Sequence, residues 1–122
     1  MAIRKTRPLF DKYLLARHGD ITAATASAYA AVHGAGSLIG VKIVSEAAIS
    51  SADETLTVYQ NGVTTGYTIT VVQSGSAAGT VDEVVIGDGA VVVTQDDVLS
   101  LVSSNASSGG CAAAVTYIVR EV

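Results

Sequence analysis

Residues Thr55 to Val72 read TLTVYQNGVTTGYTITVV, and no other stretch limits the possible folds so strongly. Leu56 and Val58 alternate with Thr55, Thr57 and Tyr59; after Asn61-Gly62, Ile69 and Val71 alternate with Thr68 and Thr70. A period of two sends successive side chains to opposite faces of a strand. Asn and Gly both tolerate the positive φ of a tight two-residue turn, so this spacing predicts a β-hairpin.

The remaining sequence repeats that grammar in short β-rich runs separated by Gly, Ser or Asp. Ile21 to His33 is Ala-rich, a composition that would allow a helix, but a strand through Ser27, Tyr29 and Ala31 fits the β context better. Ser37 to Ile49 carries Val41 and Ile43 around Lys42, with a bend expected at Gly40. Thr80 to Ile86, Ala90 to Thr94 and Val98 to Ser103 follow, and Ser104 to Gly110 is the longest loop. Cys111 to Val122 closes the series with Val115, Tyr117 and Val119 on one face. The expectation is all-β: a single antiparallel β-sandwich or jelly-roll-like domain of about eight strands, over residues 21–122.

Residues 1–20 are expected to form a separate basic arm. Pro8 biases Arg7 toward extended geometry. Phe10, Tyr13, Leu14 and Arg17 fall at i, i+3, i+4 and i+7, the spacing of a short amphipathic helix that is too brief to be stable undocked. Residues 1–17 carry five Lys/Arg against one acid, whereas residues 18–122 carry two against ten. A basic leader on an acidic body points to an interaction, with Arg4, Lys5, Arg7, Phe10, Tyr13, Leu14 and Arg17 as the docking residues.

Composition narrows the function classes. The chain is 49% hydrophobic and 15% charged, with no Trp and one Phe, which suits a thin β-branched core and apolar surface hidden in an oligomer. A lone Cys111 rules out an intrachain disulfide framework and fits a small packed hydrophobe. Pro8, Asp11 and Lys12 interrupt any signal-peptide core, and no run approaches the length of a membrane span.

No catalytic or cofactor motif is legible. His18 and His33 have no Cys or His cluster beside them, so no zinc site is expected. Asp53-Glu54, Asp82-Glu83 and Asp96-Asp97 read as solvated corners, because adjacent carboxylates in a strand point to opposite faces. Gly87-Asp88-Gly89 lacks the spaced acids of a calcium loop. No Gly-rich loop precedes a helix, and the acidic body argues against a nucleic-acid binder. The only aromatic candidates for a sugar platform are Tyr59 and Tyr67, flanking the hairpin turn; cross-strand packing is their plainer role.

The succession TLTVYQNG, TITVV, SGSAAG, a strand ending at Ile86, DDVLSLVSS and AAAVTYIV resembles the small β-sandwich decoration, or cement, proteins of tailed-phage heads. The resemblance covers about residues 37–121, and it departs from that pattern where Asp96-Asp97-Val98-Leu99 replaces an expected Gly-Asp. It implies a structural, non-enzymatic protein on the capsid exterior of a virion assembled in the host cytoplasm. Its partners would be the major capsid protein and itself, as a homotrimer, with no cofactor, nucleic acid or membrane. The competing expectation is a receptor- or glycan-binding module of a tail fibre or adhesin. A small hydrolase would require a clustered constellation that the sequence does not present.

Overall fold

An alternating run becomes a strand when one of its faces meets an apolar partner layer, and here almost every run does. The computed structural model describes residues 10–23 and 26–121. Nine strands form: β1 (Phe10–His18), β2 (Ala26–Ala31), β3 (Gly36–Ser45), β4 (Glu54–Gln60), β5 (Val63–Val71), β6 (Val81–Val85), β7 (Val92–Val93), β8 (Val98–Ser103) and β9 (Ala113–Glu121). No helix occurs among the described residues.

The strands make two antiparallel sheets. One, here sheet A, has the order β1-β9-β3-β6, with β7 pairing β3 beyond the end of β6; the other, sheet B, has the order β2-β8-β4-β5. The first strand therefore pairs with the last, β2 with β8, β3 with β6 and β4 with β5. Leu38, Val41 and Ile43 of β3 and Val115, Tyr117 and Val119 of β9 bury their side chains in the same core as Leu56 and Val58 of β4, Leu99 and Leu101 of β8, and Ile69 and Val71 of β5. Each such side chain contributes about 1.5–3 kcal/mol relative to exposure. The face expected for Val115, Tyr117 and Val119 is the buried one.

The short helix expected over Phe10, Tyr13, Leu14 and Arg17 is corrected: those residues are strand β1. Its nine residues pair with β9 without a register shift, from Phe10 opposite Glu121 to His18 opposite Ala113. One or two isolated helical turns make few internal hydrogen bonds, whereas β9 presents a full ladder. The sequence FDKYLLARH serves both periods, and the tertiary partner decides between them. This strand is the ninth, added to the eight that alternation alone suggests.

Three register shifts interrupt the ladders, one of them between Thr57 and Tyr59 of β4, where β5 carries Gly66. The β3–β9 register shifts between Leu38 and Gly40, matching the bend expected at Gly40. In β2 the register shifts between Ser27 and Ala30, around Ala28 at a φ of 59°. The carbonyl of Ala28 accepts a hydrogen bond from the buried Tyr117 hydroxyl at 2.7 Å, tying the bulge of one sheet to the central strand of the other. The hairpin turn is tight as expected, with Asn61 and Gly62 at φ 52° and 78°.

Candidate interaction face

Strand β1 divides its residues by parity. Leu14 and Ala16 pack against the core and His18 is buried, while Tyr13 and Leu15 point outward at 62% and 77% exposure. Of the residues expected to dock, Tyr13 and Arg17 therefore share the outer face and Leu14 lies on the inner one. Phe10 begins the strand. Arg4, Lys5 and Arg7 lie outside the described residues.

The ladders assemble the outer face of sheet A in rows across the strands. Asp11, Arg120 and Ser37 form a polar row. Tyr13, Ile118, Gly40 and Val85 form the next, and it is apolar throughout. A Cβ on Gly40 would stand 3.7 Å from Ile118 Cδ1, so the isoleucine side chain lies over the glycine and keeps the row continuous. Leu15, Thr116, Lys42 and Glu83 follow, then Arg17, Ala114, Val44 and Val81. Val85 is 76% exposed, and Val81 is also exposed. Large apolar side chains gathered in water in this way mark an interaction surface more often than scattered ones do.

Every charge on this face has an opposite neighbour. Arg120 donates to both Asp11 oxygens at 2.9 and 3.3 Å, and Arg17 donates to both Glu46 oxygens at 3.0 and 3.1 Å. Lys42 lies 3.6 Å from Glu83. The guanidinium hydrogen bonds hold the Asp11 and Glu46 carboxyls below their ordinary range. Such exposed pairs add little stability, but they neutralise the face. Residues 10–121 contain four Lys/Arg and eleven Asp/Glu, a formal −7. Three of each sign are paired here, so the whole −7 lies elsewhere on the body.

Sequence reasoning missed Leu15, Val44, Val81, Val85 and Ile118. The available signal was Leu14-Leu15, adjacent apolar residues that make a strand hydrophobic on both faces.

Three other regions carry polar chemistry. At the end of the sandwich where β4 begins, Glu54 is fully buried, not a solvated corner. Its Oε1 accepts from the Ser104 hydroxyl, lies 2.8 Å from Ser103 Oγ and accepts weakly from the Ala106 N–H at 3.4 Å. Its Oε2 accepts from the Ser107 N–H at 2.9 Å. Burial pushes this carboxyl up, but the hydrogen bonds together outweigh it and leave it below the ordinary value. The single Ser103 proton is shared between Glu54 and the Ile21 carbonyl, 2.6 Å away.

His18 is buried at the same end. Its Nδ1 accepts from the Asp20 N–H at 3.3 Å, and its Nε2 has no partner. Burial lowers its pKa, against the opposing pull of the Leu101 backbone and the Asp20 and Glu54 charges.

The third region is an open groove of about 190 Å³ at the hairpin end, lined by Gln60, Val63 to Thr65 and Ala90 to Val92, with no titratable side chain. Tyr67 packs against the core, whereas Tyr59 alternates outward from the buried Val58, so the two tyrosines do not form one platform. Among the described residues no three His, Cys, Asp or Glu side chains gather in metal-holding geometry. A scan against protein-family models and searches of curated proteins and of solved structures found no match.

Proposed function

We propose that this protein is a structural virion component, a decoration protein that binds the outer surface of the major capsid lattice and stabilises the head. The observation that carries this reading is the neutral, apolar outer face of sheet A on a body that holds its entire −7 elsewhere. A face whose charges are already paired loses little on dehydration against a neighbour, while the acidic remainder discourages stacking through other surfaces. Arg4, Lys5 and Arg7 precede β1 in the sequence. They supply the charge that an acidic neighbouring subunit would attract. The pairing of first strand with last and second with eighth agrees with jelly-roll winding, which viral capsid domains use among others. That agreement is a fold-level analogy, and the face is the stronger support. Repetition over a lattice converts a modest contact into firm attachment.

The test is cosedimentation of the full chain with undecorated heads of the phage that carries the gene. Val81→Glu/Val85→Glu, at exposed positions of β6, is expected to abolish binding with the fold intact by circular dichroism. Removal of residues 1–9 is expected to weaken it. Undiminished binding by the β6 variant, or no binding by the unmodified protein, overturns the reading.

A further inference from the structure

Each sheet of a sandwich ends in strands with unpaired backbone groups, and proteins usually blunt such edges. Three of the edges here are blunted. Strand β2 carries the bulge at Ala28, β5 has a register shift against β4 and Gly66 at φ 83°, and β6 is five residues long with Asp82 and Glu83 on it. Strand β1 carries the charged Asp11, Lys12 and Arg17 but is neither bulged nor short. It keeps nine unbroken pairs with β9, contains no proline, and has no strand on its outer side among the described residues. Its only edge cation beside Arg17 is Lys12.

We propose that β1 is a self-pairing edge: two copies of this chain join β1 to β1 in antiparallel fashion about a two-fold axis at Leu14, making sheet A continuous across the pair. The residue order carries this. Centred on Leu14, the middle residue of β1, antiparallel pairing sets Asp11 opposite the second copy's Arg17 and Tyr13 opposite its Leu15. Both contacts occur twice, all on the outer face. Leu14 meets its own counterpart on the core side. Directly opposed residues on one face are the pairs that stabilise a sheet, and opposed unlike charges are favourable.

A parallel alignment would set Asp11 against Asp11 and Arg17 against Arg17, and moving the axis by one residue leaves neither charge opposite its complement. The new contacts also extend existing pairs. Arg120 already holds Asp11, and Glu46 already holds Arg17. The dimer then strings Arg120, Asp11, Arg17 and Glu46 into an alternating row across the subunit boundary. The assembly is two-fold, where the phage-protein resemblance implies a homotrimer. It is independent of lattice docking, whose test residues lie on β6 across the face.

Sedimentation velocity on the full chain, with two double variants, tests the proposal. Tyr13→Lys/Leu15→Lys places four like charges across the axis at positions already exposed in the monomer, and is expected to weaken the dimer by about 100-fold or more. Tyr13→Glu/Leu15→Lys sets unlike charges opposite each other and is expected to stay within about tenfold of the unmodified dimer. Hydrogen exchange should show the β1 amides that point away from β9 protected only in the variants that dimerise, the others being held by the β9 ladder in every case. An unmodified protein that is monomeric at high micromolar concentration, or trimeric, overturns the proposal. Equal loss in both variants does so too, because it means apolar contact without this register, as does a dimer that survives both lysines.

Discussion

The two ends of β4 gather their loops in the same way and with opposite exposure. At one end, buried Glu54 collects Ser103 at the end of β8 and Ser104, Ala106 and Ser107 from the loop after it. About 20 Å along the strand, Asp97 collects Thr94 N–H at 2.8 Å, Asn61 Nδ2 at 2.9 Å and Gln60 Nε2 at 3.0 Å, at a solvent-facing corner. The hydrogen bond from Asn61, then those from Thr94 and Gln60, bring the Asp97 carboxyl down to about 2. Both carboxylates are satisfied, yet they differ in what their removal leaves behind. Water can replace Asp97, whereas two of the donors around Glu54, on Ser103 and Ser107, are buried. Four hydrogen bonds at one end and three at the other therefore carry unequal structural weight, and burial sets most of the difference.

Truncation at the buried end breaks the comparison most sharply. Glu54→Ala leaves the buried Ser107 N–H without an acceptor and removes three further hydrogen bonds, and is expected to destabilise the fold by about 3–5 kcal/mol in chemical denaturation. A cost below that of an ordinary surface change would show that water reaches the site.

Acid distinguishes the ends next. His18 is held neutral by burial, so its folded pKa lies below the ordinary 6.5 while the unfolded ring protonates there. The unfolded state then binds more protons, and stability falls as pH drops below about 6.5. Glu54, with its folded pKa below 4.5, adds a second loss below that value. Asp97 loses its contribution only as pH falls from 3.8 toward 2. His18→Gln is expected to flatten the first window alone in a series of denaturant titrations; an unchanged slope there would exclude His18 as its source.

The smallest effect belongs to the exposed corner. Asp97→Asn keeps part of the hydrogen bonding and is expected to shift the denaturation midpoint far less than Glu54→Ala. A shift of similar size would mean that Asp97, and not burial, anchors the hairpin.

The sequence made the hairpin, eight strands and the inward face of β9 legible, because alternation and the Asn-Gly turn are local properties. Asp53-Glu54 shows where that legibility ends. The two acids look alike in sequence, but Asp53 stays exposed, accepting from the Gln73 N–H at 2.8 Å, while Glu54 turns inward. Only the return of the Ser104 to Gly110 loop, some fifty residues later, supplies the donors that let a carboxylate be buried. Asp96 is similar: nothing in Asp96-Asp97 sets one acid apart, and only its φ of 70° shows the left-handed geometry that Gly adopts freely.

By itself, then, the sequence determined the strand period, the turns and the separation of a basic leader from an acidic body. Tertiary structure decided that Phe10 to His18 is a strand, since a helical and an extended reading of FDKYLLARH differ little until β9 offers a ladder. It also decided that the apolar residues of β1, β3, β6 and β9 share one face. That face is a product of register between strands up to a hundred residues apart, and no local period encodes register.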